Sequence, residues 1–325
     1  MRPSIRSCVV ASAFAFLLGF GVANYGILRV PGGDRWFWFA VAIILMLTSV
    51  VGVLLADTRR RISLWAVIGM EMLAVFILLP LIWTFTLATS PTSISPSLLP
   101  TDVQWSVFPD VLGSDSIRHA AITSLVVALI ATALSMLLAT PAAYALVRRR
   151  VRGRRVVYFY VVAMLLVPVV ALAGPLGDQM RTFGVFGNRF LLAVPTLVIT
   201  LPLAIWLGVT LMHEVPWTLR DSIRADGGTR RQVIRSFMVP NVLPGMIAVV
   251  AITFIAAAND AVIGATLTAG EESRTLPATL LLAAGELGQR PSAAVAATGL
   301  LWLVPVILVL LVLPRRTIRL LGRTF

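Results

Sequence analysis

Two acidic side chains, Glu71 and Asp260, stand within long apolar stretches of this chain. A carboxylate at the bilayer centre costs about 2.5–3.5 kcal/mol on insertion scales, so each should face protein or a water-filled cavity. An acid in such a place can relay protons, assist catalysis or pair with a base. For Glu71 we favour a structural pairing with Arg61. For Asp260 and its neighbour Asn259, two interpretations stay open, which are lining of a solute path and helix packing.

The other reactive side chains form no convergent site. The single cysteine, Cys8, offers no disulfide, and His119 and His213 lack the spacing of metal ligands. All 27 basic residues are arginines, so neither a Walker A lysine nor a Schiff-base lysine exists in this chain. The sequence therefore predicts a non-catalytic protein without cofactor or metal, and any ATP that drives it is hydrolysed by another subunit.

A polar, arginine-rich segment, residues 213–240, separates two of the apolar stretches. Thr218 with Asp221, and Thr229 with Gln232, have the spacing of a capping box, in which each side chain satisfies the other's backbone N–H group. This pattern predicts that the 213–240 segment contains two short helices.

A turn is expected between those helices at Asp226-Gly227-Gly228, because glycine adopts backbone conformations that other residues avoid. Pro240 is expected to end the second helix, since proline lacks an N–H donor. Each helix has an apolar face to bury and a basic face that can pair with acidic groups. The apolar residues are Leu219, Ile223, Val233, Ile234 and Phe237; the basic ones are Arg220, Arg224, Arg231 and Arg235.

The composition is that of an integral membrane protein, with 58% hydrophobic residues and a mean hydropathy of +0.94. Backbone polar groups cannot stay unpaired in lipid, and a helix needs roughly 20 apolar residues to cross it. The fold class predicted is an all-α polytopic membrane protein with about eight transmembrane helices. The candidate spans are Cys8–Leu28, Trp36–Ala56, Leu64–Ala88, Ile117–Val147, Val156–Leu176, Phe190–Met212, Val242–Leu267 and Ala293–Leu313.

The arginines predict the orientation of these spans. With both termini in the cytoplasm, 20 of the 27 arginines fall inside, in the groups 2–6, 59–61, 148–155, 220–235 and 315–323. The 213–240 segment is then cytoplasmic, where ATP is available. The net charge of +13 is interpreted as this topology signal and as an attraction to anionic lipid headgroups, not as a nucleic-acid-binding surface.

From about Leu64 onward the chain resembles the permease subunits of binding-protein-dependent ABC importers of the maltose-type, carbohydrate class. In that family a cytoplasmic loop with a pattern like E-A-A-x-x-D-G-A, followed by a Leu-Pro, docks on the ATPase. The matching stretches here are Pro216-Trp217, Ala225–Thr229, Val239-Pro240, Phe254–Asp260, Thr140–Leu146 and Leu79–Trp83. The resemblance implies a six-helix permease core at 62–325, with residues 1–61 forming two additional N-terminal helices.

The chain departs from the family pattern in the docking loop. Arg220 stands where the family has its leading glutamate, and Ser222 and Ile223 replace the two alanines. A guanidinium reverses the local charge, so the contact with the ATPase differs at this point. We expect Arg220 to have an acidic or carbonyl partner.

The resemblance implies a subunit of an ATP-driven importer in the bacterial inner membrane, with a sugar or oligosaccharide as substrate. Its partners would be ATP-binding cassette ATPases, a second permease and an extracytoplasmic substrate-binding lipoprotein. The 213–240 residues expected to couple to the ATPase are Arg220, Asp221, Arg224, Asp226, Gly227, Gly228, Arg231 and Pro240. Candidates for lining the solute path are Asn259, Asp260, Thr253 and Thr200.

Three alternatives remain at this stage. The chain could be an ABC permease for a non-sugar solute. It could also be a proton-coupled carrier or a membrane-embedded enzyme, either of which would use Glu71 and Asp260. An enzyme should show converging nucleophile, base or metal ligands, and the sequence offers no such constellation.

Overall fold

The computed structural model describes residues 64–89, 103–147, 152–270, 273–286 and 293–312. The predicted spans Cys8–Leu28 and Trp36–Ala56, and the predicted domain boundary at residue 61, lie outside these ranges. All regular structure within them is helical, as the sequence predicted. The helices are α1 Leu64–Thr89, α2 Val107–Gly113, α3 Asp115–Val147, α4 Arg154–Leu166, α5 Val169–Thr182, α6 Ala193–His213, α7 Trp217–Ala225, α8 Arg230–Val233, α9 Val239–Asn241, α10 Leu243–Ala258, α11 Val262–Thr266, α12 Leu276–Glu286 and α13 Ala293–Val312.

Several predicted spans coincide with long apolar helices. Among the described residues α3, α6 and the stretch Leu243–Thr266 are long and apolar enough to cross a membrane. α1 and α13 cover the predicted spans Leu64–Ala88 and Ala293–Leu313 as helices. The predicted total of about eight spans is not tested by the described residues.

The predicted span Val156–Leu176 is wrong as a single straight helix. α4 ends at Leu166, α5 begins at Val169, and the two axes differ by 97°. Pro168 is the N-cap of α5 and has extended backbone angles, φ −66° and ψ 122°. Proline also disfavours helical backbone at the residue before it, which here is Val167. The predicted helix is therefore interrupted between Leu166 and Val169.

The chain divides into two compact units, the described parts of Met1–Val111 with Arg290–Leu300, and those of Leu112–Gln289 with Leu301–Phe325. In the first unit the rings of Phe85 and Trp105 meet edge to face at 6.0 Å. The backbone N–H of Gln104 donates to the Thr89 carbonyl at 2.9 Å. These contacts fasten the segment before α2 to the end of α1.

The second unit contains two apolar clusters built largely on small residues. Ala128, Ala131 and Ala258 are at most 1% exposed in the first cluster. In the second, a methyl group added at Gly208 of α6 would lie 3.1 Å from the Ala143 side chain of α3. Small side chains let helix backbones approach closely, which is the main source of helix association in lipid. α3, α6 and α10 therefore form the packed frame that carries the 213–240 segment.

Candidate functional site

The turn between α7 and α8 has the geometry expected from its two glycines. Gly227 has a positive φ of 78°. Its N–H donates to the Arg224 carbonyl at 3.2 Å, and the Gly228 N–H donates to the Ile223 carbonyl at 2.8 Å. This pair of bonds is the Schellman motif that closes a helix C-terminus. A Cβ at Gly228 would collide with Ile223. The predicted turn at Asp226–Gly228 is confirmed.

One of the two predicted capping boxes is present. The Thr229 N–H donates to Oε1 of Gln232 at 2.7 Å, and the Gln232 N–H donates to Oγ1 of Thr229 at 3.3 Å. The box predicted at Thr218 is wrong, because α7 begins one residue earlier, at Trp217, with Pro216 as its N-cap and without a side-chain capping bond. The helix therefore starts without a hydroxyl cap.

The prediction that Pro240 ends the second helix is also wrong. The chain continues from α8 through a π-helical turn, Ile234–Met238, and Pro240 lies in the next helical turn. A π turn widens the helix. It therefore leaves room for the ring of Pro240, whose backbone nitrogen has no N–H to donate. The Nδ2 group of Asn241 donates to the Phe237 carbonyl at 2.9 Å, which satisfies one of the backbone acceptors at this irregularity.

Trp217 fixes the 213–240 segment onto the membrane helices. Its ring packs against Tyr144 of α3 at 5.6 Å and against Phe237 at 5.4 Å between ring centroids. Its indole Nε1 donates to the Met212 carbonyl of α6 at 2.9 Å. Sequence reasoning missed this role, although a tryptophan directly after Pro216 at the end of an apolar span was a signal for it.

The apolar residues of the 213–240 segment differ in how far they are buried. Phe237 is fully buried and Val233 is 7% exposed, as the sequence predicted. Ile223 is half-buried, whereas Leu219 keeps 47% of its surface exposed. The side chain of Ile234 lies outside the described set. Leu219 is therefore an apolar group on the outer surface of α7, available to another protein.

Arg220 is buried in the segment and forms an ion pair. Its Nη1 donates to Oδ1 of Asp221 at 2.8 Å, with the arginine side chain 8% exposed and the aspartate 54% exposed. The predicted acidic partner of Arg220 is confirmed. The other arginines expected on the outer face of the segment are exposed, and so is Asp226. These arginines are Arg224, Arg231 and Arg235.

Asn259 and Asp260 lie at a break between α10 and α11. Nδ2 of Asn259 donates to the Ile255 carbonyl at 2.9 Å, and its side chain is exposed. Oδ1 of Asp260, one position before the N-cap residue Ala261, accepts a long hydrogen bond of 3.5 Å from the Ile263 N–H in the first turn of α11. Breaks of this kind expose backbone and polar groups at membrane depth, where transporters place solute sites.

The two threonines predicted to line a path are instead packed between helices. Thr200 is fully buried, accepts a hydrogen bond from Oγ of Ser135 at 2.7 Å and donates to the Thr196 carbonyl at 3.1 Å. Thr253 is also fully buried, and its hydroxyl has no partner among the described residues. The Thr200–Ser135 bond joins α3 to α6. Glu71 lies within α1, but its side chain and Arg61 are outside the described set.

No group of three or more metal-ligating side chains was found among the described residues.

A family model described as binding-protein-dependent transport system inner membrane component matches residues 131–319. The chain belongs to this family. The matched range of the permease contains the 213–240 segment and the break at Asn259.

Several characterised permeases are similar to this one over most of their length. The trehalose transport system permease protein SugB of Mycobacterium tuberculosis is 30% identical over 262 residues, which cover 80% of this chain and 95% of that protein. The trehalose/maltose transport system permease protein MalG of Thermococcus litoralis is 25% identical over 78% and 92% of the two chains. The diacetylchitobiose uptake system permease protein DasC of Streptomyces coelicolor is 26% identical over 78% and 93%.

Solved transporters have the same fold as the permease. A bacterial ABC transporter involved in the import of the acidic polysaccharide alginate matches with a TM-score of 0.59 at 23% identity, covering 75% of this chain and 92% of that chain. The inward-facing methionine transporter MetNI matches with a TM-score of 0.52 at 18% identity, covering 63% and 95%. At these identities the likeness concerns the fold alone.

Proposed function

We propose that this permease imports a sugar or oligosaccharide, and that its 213–240 segment docks on a separate ATPase subunit. The observation that carries the docking proposal is the surface of α7 and α8. Leu219 stands exposed on that surface, with Arg224, Arg231 and Arg235 nearby in the segment. An apolar anchor surrounded by charged groups is typical of a protein interface.

The way the segment is held supports a mechanical role. Trp217 packs on Tyr144 of α3 and bonds the Met212 carbonyl of α6. The Schellman turn at Gly227 and the capping box at Thr229 keep α7 and α8 in a defined mutual arrangement. A push on α7 by the ATPase is thereby passed to two membrane helices, which is what alternating access requires.

The substrate class rests on the relatives, whose names specify trehalose, maltose and diacetylchitobiose. A sugar needs hydrogen-bonding groups along its path, and among the predicted lining residues Asn259 and Asp260 stand at the helix break. Thr200 and Thr253 are buried, so of the four predicted lining residues only Asn259 and Asp260 are left to contact a sugar. We therefore assign the other wall of the path to a second permease, with a binding protein delivering the sugar.

The alternative of a proton-coupled carrier gains less support. Asp260 faces the N-terminus of α11 and accepts the Ile263 N–H. A carboxylate that accepts this backbone N–H serves as a fixed helix cap, a role that requires no transfer of a proton. The same transport assay can separate the two functions, since a carrier works without an ATPase.

The docking proposal can be tested by substitution at two exposed apolar positions. Leu219→Asp places a charge on the proposed interface, whereas Phe183→Asp changes a residue that is 78% exposed after α5, outside the segment. We expect Leu219→Asp to lower co-purification of the ATPase and sugar-stimulated ATP hydrolysis roughly tenfold, as for loss of an interface anchor. Phe183→Asp should leave both near wild type. Equal retention of the ATPase by both variants would refute docking through α7.

A further inference from the structure

A cavity of about 380 Å³ lies where the ends of α3, α4 and α6 come together. Its polar lining residues are Arg154, Arg155, Tyr158, Thr210, His213 and Glu214. His213 ends α6 and Glu214 is its C-cap, so the cavity adjoins the start of the 213–240 segment. The transport function proposed above makes no use of these side chains.

The cavity has an excess of positive charge that other groups do not satisfy. The residues that line the cavity include two arginines and one acid, Glu214. Neither Arg154 nor Arg155 forms an ion pair with any described residue, and Arg154 is half-buried. A partly desolvated cation without a partner is costly, and a guanidinium binds phosphate oxygens through its fork of N–H donors. The site is therefore suited to an anion.

The N-terminus of α4 adds to this suitability. Gly153 precedes α4 with a φ of 76°, and it provides no side-chain capping bond for the 13-residue helix. The first N–H groups of a helix and the positive end of its dipole attract phosphate. Arg154 and Arg155 are the first two residues of α4, so the start of this helix lines the cavity.

The rest of α4 indicates where the anion comes from. Beyond the arginines its surface is apolar, with Val156 58%, Phe159 69% and Leu166 80% exposed. A helix that starts with arginines lacking an ion-pair partner in the described part of the chain, and continues with exposed apolar side chains, matches the two parts of a phospholipid. Lipid tails would cover the apolar face, and the headgroup phosphate would enter the cavity.

We propose that this cavity binds the phosphate of an anionic glycerophospholipid. Leu146 and Val209 are the apolar residues that line the cavity, and Tyr158, whose side chain has a hydroxyl donor, also lines it. Glu214 opposes a second negative charge, so one phosphodiester is accommodated more readily than a diphosphate. The bound lipid lies next to His213, where it stabilises the end of α6 from which the 213–240 segment departs.

Native mass spectrometry of the purified complex tests this assignment with phosphatidylglycerol, phosphatidylcholine and inorganic phosphate as probes. Phosphatidylglycerol should be retained more strongly than phosphatidylcholine. Its headgroup has a net negative charge, whereas the choline cation neutralises the phosphate of phosphatidylcholine. Arg154→Gln with Arg155→Gln should weaken that retention roughly tenfold, the effect of losing charge-assisted contacts. Arg189→Gln, which removes one exposed charge four residues before α6 begins, is the control.

Inorganic phosphate separates the two sources of the anion. It should fail to displace phosphatidylglycerol, because it has no acyl chains to cover α4. Displacement by phosphate alone would overturn the lipid assignment in favour of a free-anion site. Unchanged lipid retention in the double variant would overturn the site itself. If the double variant does not assemble, Arg155→Gln alone is informative, since Arg155 is exposed and contributes one of the two guanidinium groups.

Discussion

The guanidinium of Arg220 donates to the carboxylate of Asp221 at 2.8 Å, although the two residues are neighbours on one helix. The arginine points into the protein and is 8% exposed, while the aspartate is 54% exposed. The ion pair thus joins a buried guanidinium to a carboxylate on the exposed surface of α7. This arrangement gives the arginine a structural reason to occupy the position where the family pattern has glutamate.

Reversing the charge at this position should destabilise the 213–240 segment. Arg220→Glu would place a second carboxylate beside Asp221 in a buried site. We expect a loss of about 2 kcal/mol, less than for a fully buried pair because Asp221 is half-exposed. Thermal unfolding of the complex measures it, with Arg231→Glu as the control because Arg231 is exposed. Raised stability or transport in Arg220→Glu would contradict this role.

The turn glycines should differ in their tolerance of alanine. At Gly227 the left-handed backbone costs roughly 1–2 kcal/mol for a residue with a Cβ. Gly228→Ala should cost more, because its Cβ collides with the Ile223 carbonyl. Gly113→Ala, where no atom lies within 4 Å of the added Cβ, should be neutral. Limited proteolysis at the turn and thermal unfolding check this order. Identical behaviour of all three variants would argue against the turn geometry.

The bond between Ser135 and Thr200 should stabilise the packing of α3 on α6. In a double-mutant cycle with Ser135→Ala and Thr200→Val we expect a coupling of about 0.6 kcal/mol, the average for such bonds in membranes. Thr298→Val is the matched control, since that buried hydroxyl bonds the Ala294 carbonyl of its own helix. Sugar selectivity should stay unchanged in Thr200→Val. A changed sugar selectivity in Thr200→Val would indicate that Thr200 lines the solute path.

The sequence predicted the local features of the 213–240 segment well where a short pattern determines the structure. The capping box of Thr229 and the turn at Gly227 depend on residues a few positions apart, so their spacing is sufficient. Pro240 was predicted to end its helix, but a π turn accommodates it. That outcome depends on Phe237 being held by Trp217 and by the second apolar cluster, contacts that no local pattern encodes.

Membrane-depth features were harder to predict from apolar composition. The bend before Pro168 lies inside an apolar run whose length alone satisfied the criterion for one span. Thr200 was interpreted as a path residue because it is polar, yet its partner Ser135 is 65 positions away. Hydropathy places a residue at a depth but does not say which neighbour it faces. The helix α12, Leu276–Glu286, is too short to be recognised as a span and was not predicted.

The last prediction separates the capping role of Asp260 from a role for its charge. Asp260→Asn keeps an oxygen that can accept the Ile263 N–H, since asparagine caps helices about as well as aspartate. Asp260→Ala removes the acceptor and should cost about 1 kcal/mol of stability. If Asp260 acts as a cap and path residue of an ATP-driven importer, Asp260→Asn should keep most of the ATP-dependent sugar uptake, and Asp260→Ala should lower it.

Uptake into proteoliposomes, with and without the ATPase, measures this difference. Asn259→Ala serves as the companion variant, because its exposed amide bonds the Ile255 carbonyl and leaves the Asp260 cap intact. It should weaken uptake without changing assembly or the affinity of the binding protein. A complete loss of uptake in Asp260→Asn, together with uptake driven by a proton gradient alone in the wild type, would favour the carrier. Normal uptake in Asn259→Ala and Asp260→Ala would assign both residues to packing.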